Sequence, residues 1–173
     1  MVNMEECSVR PVLDGGGDRD GRACALEARA AGSRCAEAAY AAFCREHWPV
    51  YSRFATAVVG SAPVGRDLAR AALRDLGAQW TLALRSASPS RYAWTLLAKA
   101  LAPHRAPGLR ALYGGLRCAE ADALVLRHRL GCSVAAAGRA MGLSPDAFEL
   151  LRRTALANAA HPEDPHMPPA DAA

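Results

Sequence analysis

Six side chains able to bind a polyanion or read a nucleic-acid base fall within fifteen residues: Arg139, Ser144, Asp146, Glu149, Arg152 and Arg153. Arginine neutralises phosphate, and hydroxyls and carboxylates can bond to base edges. Arg152 and Arg153 are the strongest phosphate candidates, joined by Arg139 a little upstream. Asp146 and Glu149 are harder to place. A carboxylate can accept from cytosine N4, yet it repels phosphate. Asp146 is equally explained as an acidic first-turn residue that favours a helix dipole.

A second cluster, Arg85, Arg91, Tyr92, Trp94 and Lys99, mixes cations with aromatic rings. Such a mixture suits holding bases that have left the stack. Trp94 fits core packing better, which leaves Tyr92 and Lys99 as the exposed candidates. The six cysteines, at 7, 24, 35, 44, 118 and 132, contain no C-x-x-C pair. Cys35, Cys44 and His47, or Cys118, His128 and Cys132, could be drawn as metal ligands, but neither spacing matches a closed zinc site. The expectation is small apolar residues or free thiols, with no metal and no cofactor. No nucleophile–base motif or supported carboxylate pair is present. The glycines at 15–17 and 114–115 lack the strand–helix setting of a phosphate loop, so no enzyme is expected.

The first cluster is positioned by the stretch GCSVAAAGRAMGLSPDAFELLRRTAL. Ser133 can cap a short helix, Val134 to Met141. Gly142 follows where a chain leaving a helix often needs positive φ. Leu143 points back inward, Ser144 caps again, and Pro145 takes the first helical position, where its missing N–H costs nothing. The second helix runs to about Asn158. Two short helices around a tight glycine turn form a helix-turn-helix, which can set one helix in a DNA major groove. An ordinary helical hairpin in an α-bundle has the same local pattern.

The rest of the chain favours an all-α fold of two small helical domains. Ala, Leu and Arg are abundant, β-branched residues are scarce, and Lys99 is the only lysine. Residues 1–35 read as a loosely ordered arm and 159–173 as an acidic, proline-rich tail without structure. From Glu37, Tyr40, Phe43 and His47 share a helical face, and Pro49 should break or restart the helix before Tyr51, Phe54 and Val58. Ser61 and Pro63 open a second helix with Val64, Leu68, Ala72, Leu76 and Trp80 as its core stripe. Ser90 can cap a third, carrying Trp94, Leu97 and Leu101. These three helices make a first domain, 36–101. Residues 102–115 read as a linker, though a helical turn can begin at Leu109. A second domain, 116–158, opens with helix Cys118–Leu130, whose Ala121, Leu124, Val125 and His128 face inward.

Net charge is uneven along the chain: −2 over 1–39, +6 over 40–105, +3 over 106–158 and −3 over 159–173. Two basic blocks between acidic ends suit a polyanion, or else a solvated arginine-rich surface. No apolar run is long enough to span a membrane, and no apolar leader opens the chain, so a cytoplasmic location is expected.

Over roughly residues 36–158 the chain resembles an extracytoplasmic-function sigma factor, the smallest kind of the bacterial sigma-70 family, with only regions 2 and 4. In the second block Leu116 holds the place of a family Leu, Arg117 replaces the Pro after it, and Leu126, Arg127 and His128 stand for Leu-Arg-Tyr. Met141, Gly142, Leu143 and Ser144 match the Leu-Gly-Val-Ser turn. In the first block Gly65, Arg66, Asp67 and Leu68 resemble the Ala-Glu-Asp-Leu that opens the region 2 helix on the polymerase clamp. The stretch Ala93 to Lys99 resembles the segment near the promoter-melting site. Departures concentrate at polar contact positions. The family's Gln-Glu falls on Arg70 and Ala71, and the Asn after its Ala-Arg pair on Ala100. Its Glu-Ile-Ala falls on Ala136, Ala137 and Gly138. In the recognition helix its Thr-Val-Lys falls on Ala147, Phe148 and Glu149, and a later Arg on Thr154.

The resemblance implies binding rather than catalysis. Asp67, Leu68, Arg70 and Arg74 would dock on core RNA polymerase, and Tyr92 and Lys99 would hold melted promoter DNA. The helix from Pro145 would read the −35 element. Core polymerase and promoter DNA are then the partners, with an anti-sigma factor as an optional third. Two alternatives stay open. One is a helix-turn-helix regulator that acts without polymerase. The other is a sigma-like interaction protein that no longer reads DNA.

Overall fold

The computed structural model describes the backbone of residues 17–160 and the side chains of residues 32–160. The readings made for residues 1–16 and for the tail after Ala160 lie outside the described residues. Every regular element among those described is helical, so the chain is all-α. It divides into two units, residues 1–38 and 39–173.

Helix α1 spans Gly17–Val59. It therefore begins inside the segment read as an arm. That segment lacks an apolar period but is rich in Ala and Arg, which favour helix without any periodicity. In the first unit the Ser33 hydroxyl bonds to Glu37, one turn on.

In the second unit α1 runs straight through Pro49, where a break was expected. Proline withdraws one donor, the partner of the Arg45 carbonyl. Both residues are exposed, so the interruption lies on the solvent side of α1. Phe43, His47, Tyr51, Phe54, Ala55 and Val58 form the buried stripe of α1.

Helix α2 is Ala62–Ala78. Its inward row is Gly65, Ala69, Ala72, Leu73 and Leu76, while Val64, expected in the core, is 42% exposed. The cause is Gly65. A Cβ there would lie 2.6 Å from the Thr56 nitrogen and 2.7 Å from the Ala55 carbonyl carbon. The absent side chain lets α2 press its backbone onto α1, and this rotates Val64 outward.

The chain then kinks at Gln79, so Trp80 opens a separate short helix, α3 (Trp80–Arg85). Helix α4 is Pro89–Leu101, and its cap is Ser88, whose side chain accepts from the Arg91 N–H. Ser90, the expected cap, lies inside the helix, because Pro89 already occupies its first position. The Ser90 hydroxyl instead sits 3.2 Å from His47 Nε2.

Residues 102–115 are not a bare linker. They hold 3-10 turns at Ala102–His104 and Pro107–Leu109, and then α5 (Arg110–Gly115), with Leu109 buried. Helix α6 (Cys118–Leu124) passes into a π turn, Val125–Arg129. The wider turn holds an extra residue and shifts the phase beyond it. Leu126 is fully buried and His128, expected inward, is exposed. Helices α7 (Val134–Met141) and α8 (Pro145–Ala160) follow, with Phe148 completely buried.

The blocks 39–101 and 116–160 pack directly on each other. Trp94 Nε1 donates to Asp122 Oδ2 (3.0 Å), and the Tyr51 hydroxyl donates to the Ala140 carbonyl (3.2 Å). Arg53 Nη2 donates to the Leu130 carbonyl at 2.9 Å. Asp122 is 3% exposed, and its second oxygen accepts from the Tyr113 hydroxyl at 2.7 Å. Burial pushes the Asp122 carboxyl up from its ordinary 3.8, against the pull of those two donors.

Two outcomes test this packing. Gly65→Ala should destabilise the protein by about 1–3 kcal/mol in denaturant unfolding, since backbone rather than a flexible tip blocks the new Cβ. Asp122→Ala should cost about 2–4 kcal/mol by orphaning two buried donors. Asp122→Asn, which keeps one acceptor, should cost less. Because the folded-state pKa is raised, ionised Asp122 opposes folding. The favourable contribution is complete below about pH 3.8 and fades as pH rises through the raised value. Asp122→Asn should remove that slope from stability measured against pH.

Candidate nucleic-acid interface

The helix-turn-helix is built as its residues require. The Ser133 side chain accepts from the Ala136 N–H, and Ser144 accepts from the Ala147 N–H at 3.1 Å. Gly142 has φ +68° and ψ +35°. Its N–H reaches the Arg139 carbonyl, and the Leu143 N–H reaches the Gly138 carbonyl at 2.8 Å. These two bonds close α7 in a Schellman motif. Gly142 also has a neighbour outside the motif. A Cβ there would fall 2.6 Å from Ser88 Oγ and 2.8 Å from Arg91 Cα, so the turn is seated on the start of α4.

The candidate DNA-reading residues share α7, the turn and α8, and each of their three arginines has a carboxylate partner. Arg152 grips Glu149 with two bonds, 2.8 and 2.7 Å long, and Arg153 Nε adds a third at 3.0 Å. Arg152 first and Arg153 second hold the Glu149 carboxyl down at about 2. The carboxylate is therefore ionised across the working pH range and offsets one of the two cations offered to phosphate. Arg139 lies 3.6 Å from Glu46 of α1. Asp146 and Ser144 are exposed at the α8 N-terminus. In the first block Lys99 is exposed. Tyr92 is half-buried, with its hydroxyl donating to Gln79 Oε1 at 2.6 Å. Trp94 is buried, as core packing required.

The outer face of α8 is largely apolar. Leu150 is 67% exposed, and with Ala147 and Thr154 it forms one wall of a groove of about 510 Å³. Trp94 and Thr95 of α4 form the facing wall, Met141 and Leu143 help to floor it, and Arg91 and Arg117 stand at its edge. Arg117 pairs with Glu120, which is buried and also accepts from Asn158 of α8. The Arg117 contact holds the Glu120 carboxyl below its ordinary value.

The residues assigned to a polymerase contact fall together on α2. Asp67, Arg70 and Arg74 are exposed and Leu68 is half-buried. Arg70 bonds Asp67 at 2.8 Å and stands 5.3 Å over the Trp48 ring. With Tyr40 and Leu73, three of them line a surface depression of about 350 Å³. No three His, Cys, Asp or Glu side chains among the described residues converge on a point where a metal could sit. No helix among those residues is long and apolar enough to cross a membrane.

Sequence reasoning missed Asp122, the groove and its Leu150 wall. A signal for Asp122 existed: an acid between Ala121 and Leu124 on a face otherwise apolar is a buried carboxylate in search of donors. No protein-family model, curated protein or solved structure matches this chain.

Glu149→Gln should leave the fold intact while freeing Arg152 and Arg153. Binding to random-sequence duplex at low salt should tighten several-fold, with a steeper dependence of log K on log salt. Equal affinity and slope in both proteins would take these arginines out of any phosphate contact.

Proposed function

We propose that this chain is a sigma-like factor that works through protein contact, with its helix-turn-helix diverted from reading DNA. The observation that carries the proposal is the state of α8. Its two cations are bound to Glu149, and its outward face presents Ala147 and Leu150 to an apolar groove. A major-groove reader needs polar side chains toward base edges and unencumbered cations toward phosphate. The α2 surface also holds an ion pair, Arg70 with Asp67, but it lacks an apolar outward face. Asp67, Arg70 and Arg74 remain exposed beside Trp48 and Tyr40, a mixture of charge and aromatic surface that suits a protein partner. Core RNA polymerase is the partner that the family resemblance suggests for it. Promoter DNA and an anti-sigma protein belong to the same resemblance and rank behind it, and such a polymerase partner calls for a cytoplasmic setting.

A second reading, a promoter-reading initiation factor, is favoured by one feature. The Gly142 turn and the Ser144 cap are those of a working helix-turn-helix.

Co-purification with core polymerase separates the two, followed by transcription from a promoter library. The proposal expects core binding without promoter opening. It also expects the double reversal Asp67→Arg with Arg70→Asp to weaken that binding at least tenfold while melting temperature is kept. Sequence-specific duplex binding, or promoter opening by the wild-type chain, would overturn it.

A further inference from the structure

We propose that a depression between α1, α2 and the π turn holds the phosphate backbone of a nucleic acid, without regard to base sequence. The site shares no residue with α8 or with the Asp67, Arg70 and Arg74 surface, so it goes beyond the protein-contact reading and stands without it.

Three observations carry it. The first is the composition of the hollow. It has a volume of about 380 Å³ and is lined by Ser52, Arg53 and Thr56 of α1, Arg66 of α2, and Leu130. Guanidinium and hydroxyl groups are the side-chain donors that bond phosphate oxygens. No carboxylate lines the hollow, and neither Arg53 nor Arg66 makes an ion pair with a described residue. On α8, by contrast, Glu149 occupies both arginines. The acid next to Arg66 in sequence, Asp67, is bonded to Arg70. Two cations around one hollow without a counter-charge favour an anion there. The second observation is that both cations are placed before any ligand arrives. Gly65 brings the α2 backbone against α1 at Thr56, so the next residue, Arg66, opens onto the same hollow as Thr56. Arg53 is held from the other helical block, where its Nη2 donates to the Leu130 carbonyl at 2.9 Å. That bond spends one of five guanidinium donors and fixes the plane of the rest. A side chain already fixed loses less freedom on binding.

The third observation is that positive charge continues past the hollow. Leu130 follows directly on the π turn, whose last three residues, Arg127, His128 and Arg129, are all exposed. The Arg127 guanidinium is steadied by the Cys132 carbonyl at 3.1 Å. Neither Arg127 nor Arg129 pairs with an acid among the described residues. Turns of this wider kind gather at functional sites. A single free anion would engage the hollow alone, whereas a chain of successive phosphates can engage the hollow and the turn together. No aromatic ring lines the hollow, so nothing there would stack on a base. The contact is therefore with backbone and carries no sequence preference.

Fluorescence anisotropy of a labelled random-sequence duplex with the full chain, followed against salt, tests the proposal. Arg66→Gln should weaken binding several-fold at low salt, alike on unrelated sequences, and lower the slope of log K against log salt by about 1. Arg53→Gln should do the same, and the pair should lower the slope by about 2. Arg66→Lys, which keeps the charge, should recover most of the affinity. Arg110→Gln removes an exposed arginine of α5 outside the hollow and should change much less. Affinity and slope unchanged in both Arg66→Gln and Arg53→Gln would overturn the proposal. So would an equal loss from Arg110→Gln, since diffuse charge rather than a site would then hold the duplex. Absence of duplex binding by the wild-type chain would overturn it too. In that case a shift of the Arg66 Nε–H resonance on adding inorganic phosphate would assign the hollow to a free anion.

Discussion

Asp122 is the buried carboxylate on which the arrangement of the two helical blocks turns. One oxygen takes the indole N–H of Trp94 on α4, and the other takes the hydroxyl of Tyr113 on α5. A carboxylate this deep is costly unless its lone pairs are matched, and a lost partner costs more than the bond itself contributes. The bonds donated to Asp122 therefore fix direction more than they add net stability. With Trp94 aimed at α6, the start of α4 meets the Gly142 turn, where only a residue without Cβ fits. The groove between α4 and α8 is a consequence. Trp94 and Leu150 line it, and the Gly142 turn seats against the start of α4.

The same closeness explains what was legible in the residues and what was not. Local rules placed α7, Gly142, the Ser144 cap and α8 correctly, because each depends on a few neighbours and on the positive φ of one glycine. They failed where a distant contact decided the outcome. Val64 keeps perfect helical spacing with Leu68 and Ala72, yet Gly65 draws α2 onto α1 and turns Val64 out. His128 keeps its spacing too, until the π turn shifts the phase. Pro49 is compatible with a helix because the interruption lies on the solvent side of α1, a property of tertiary position that spacing does not encode.

For the candidate interface, residue types were legible and their partners were not. Arg152 and Arg153 were reasonable phosphate ligands from their place on α8. Glu149 lies one turn before both, at i−3 and i−4, where helical geometry brings opposite charges into contact. That pairing could have been read from spacing alone. The groove could not, since it needs α4 and α8 side by side.

Gly65 ties the packing of α2 to the face that the helix leaves exposed. An alanine Cβ at this place would sit 2.6 Å from the Thr56 nitrogen. The helices of this chain therefore cross more closely than an Ala-bearing version allows. Closer crossing turns α2 and leaves Asp67, Arg70 and Arg74 on an outward face beside Trp48. The close approach at Gly65 lies on one side of α2, and Asp67, Arg70 and Arg74 lie exposed on the same short helix. The fold and its candidate contact face are coupled through that one backbone approach, so substitutions on the buried side of α2 should be felt on the exposed side.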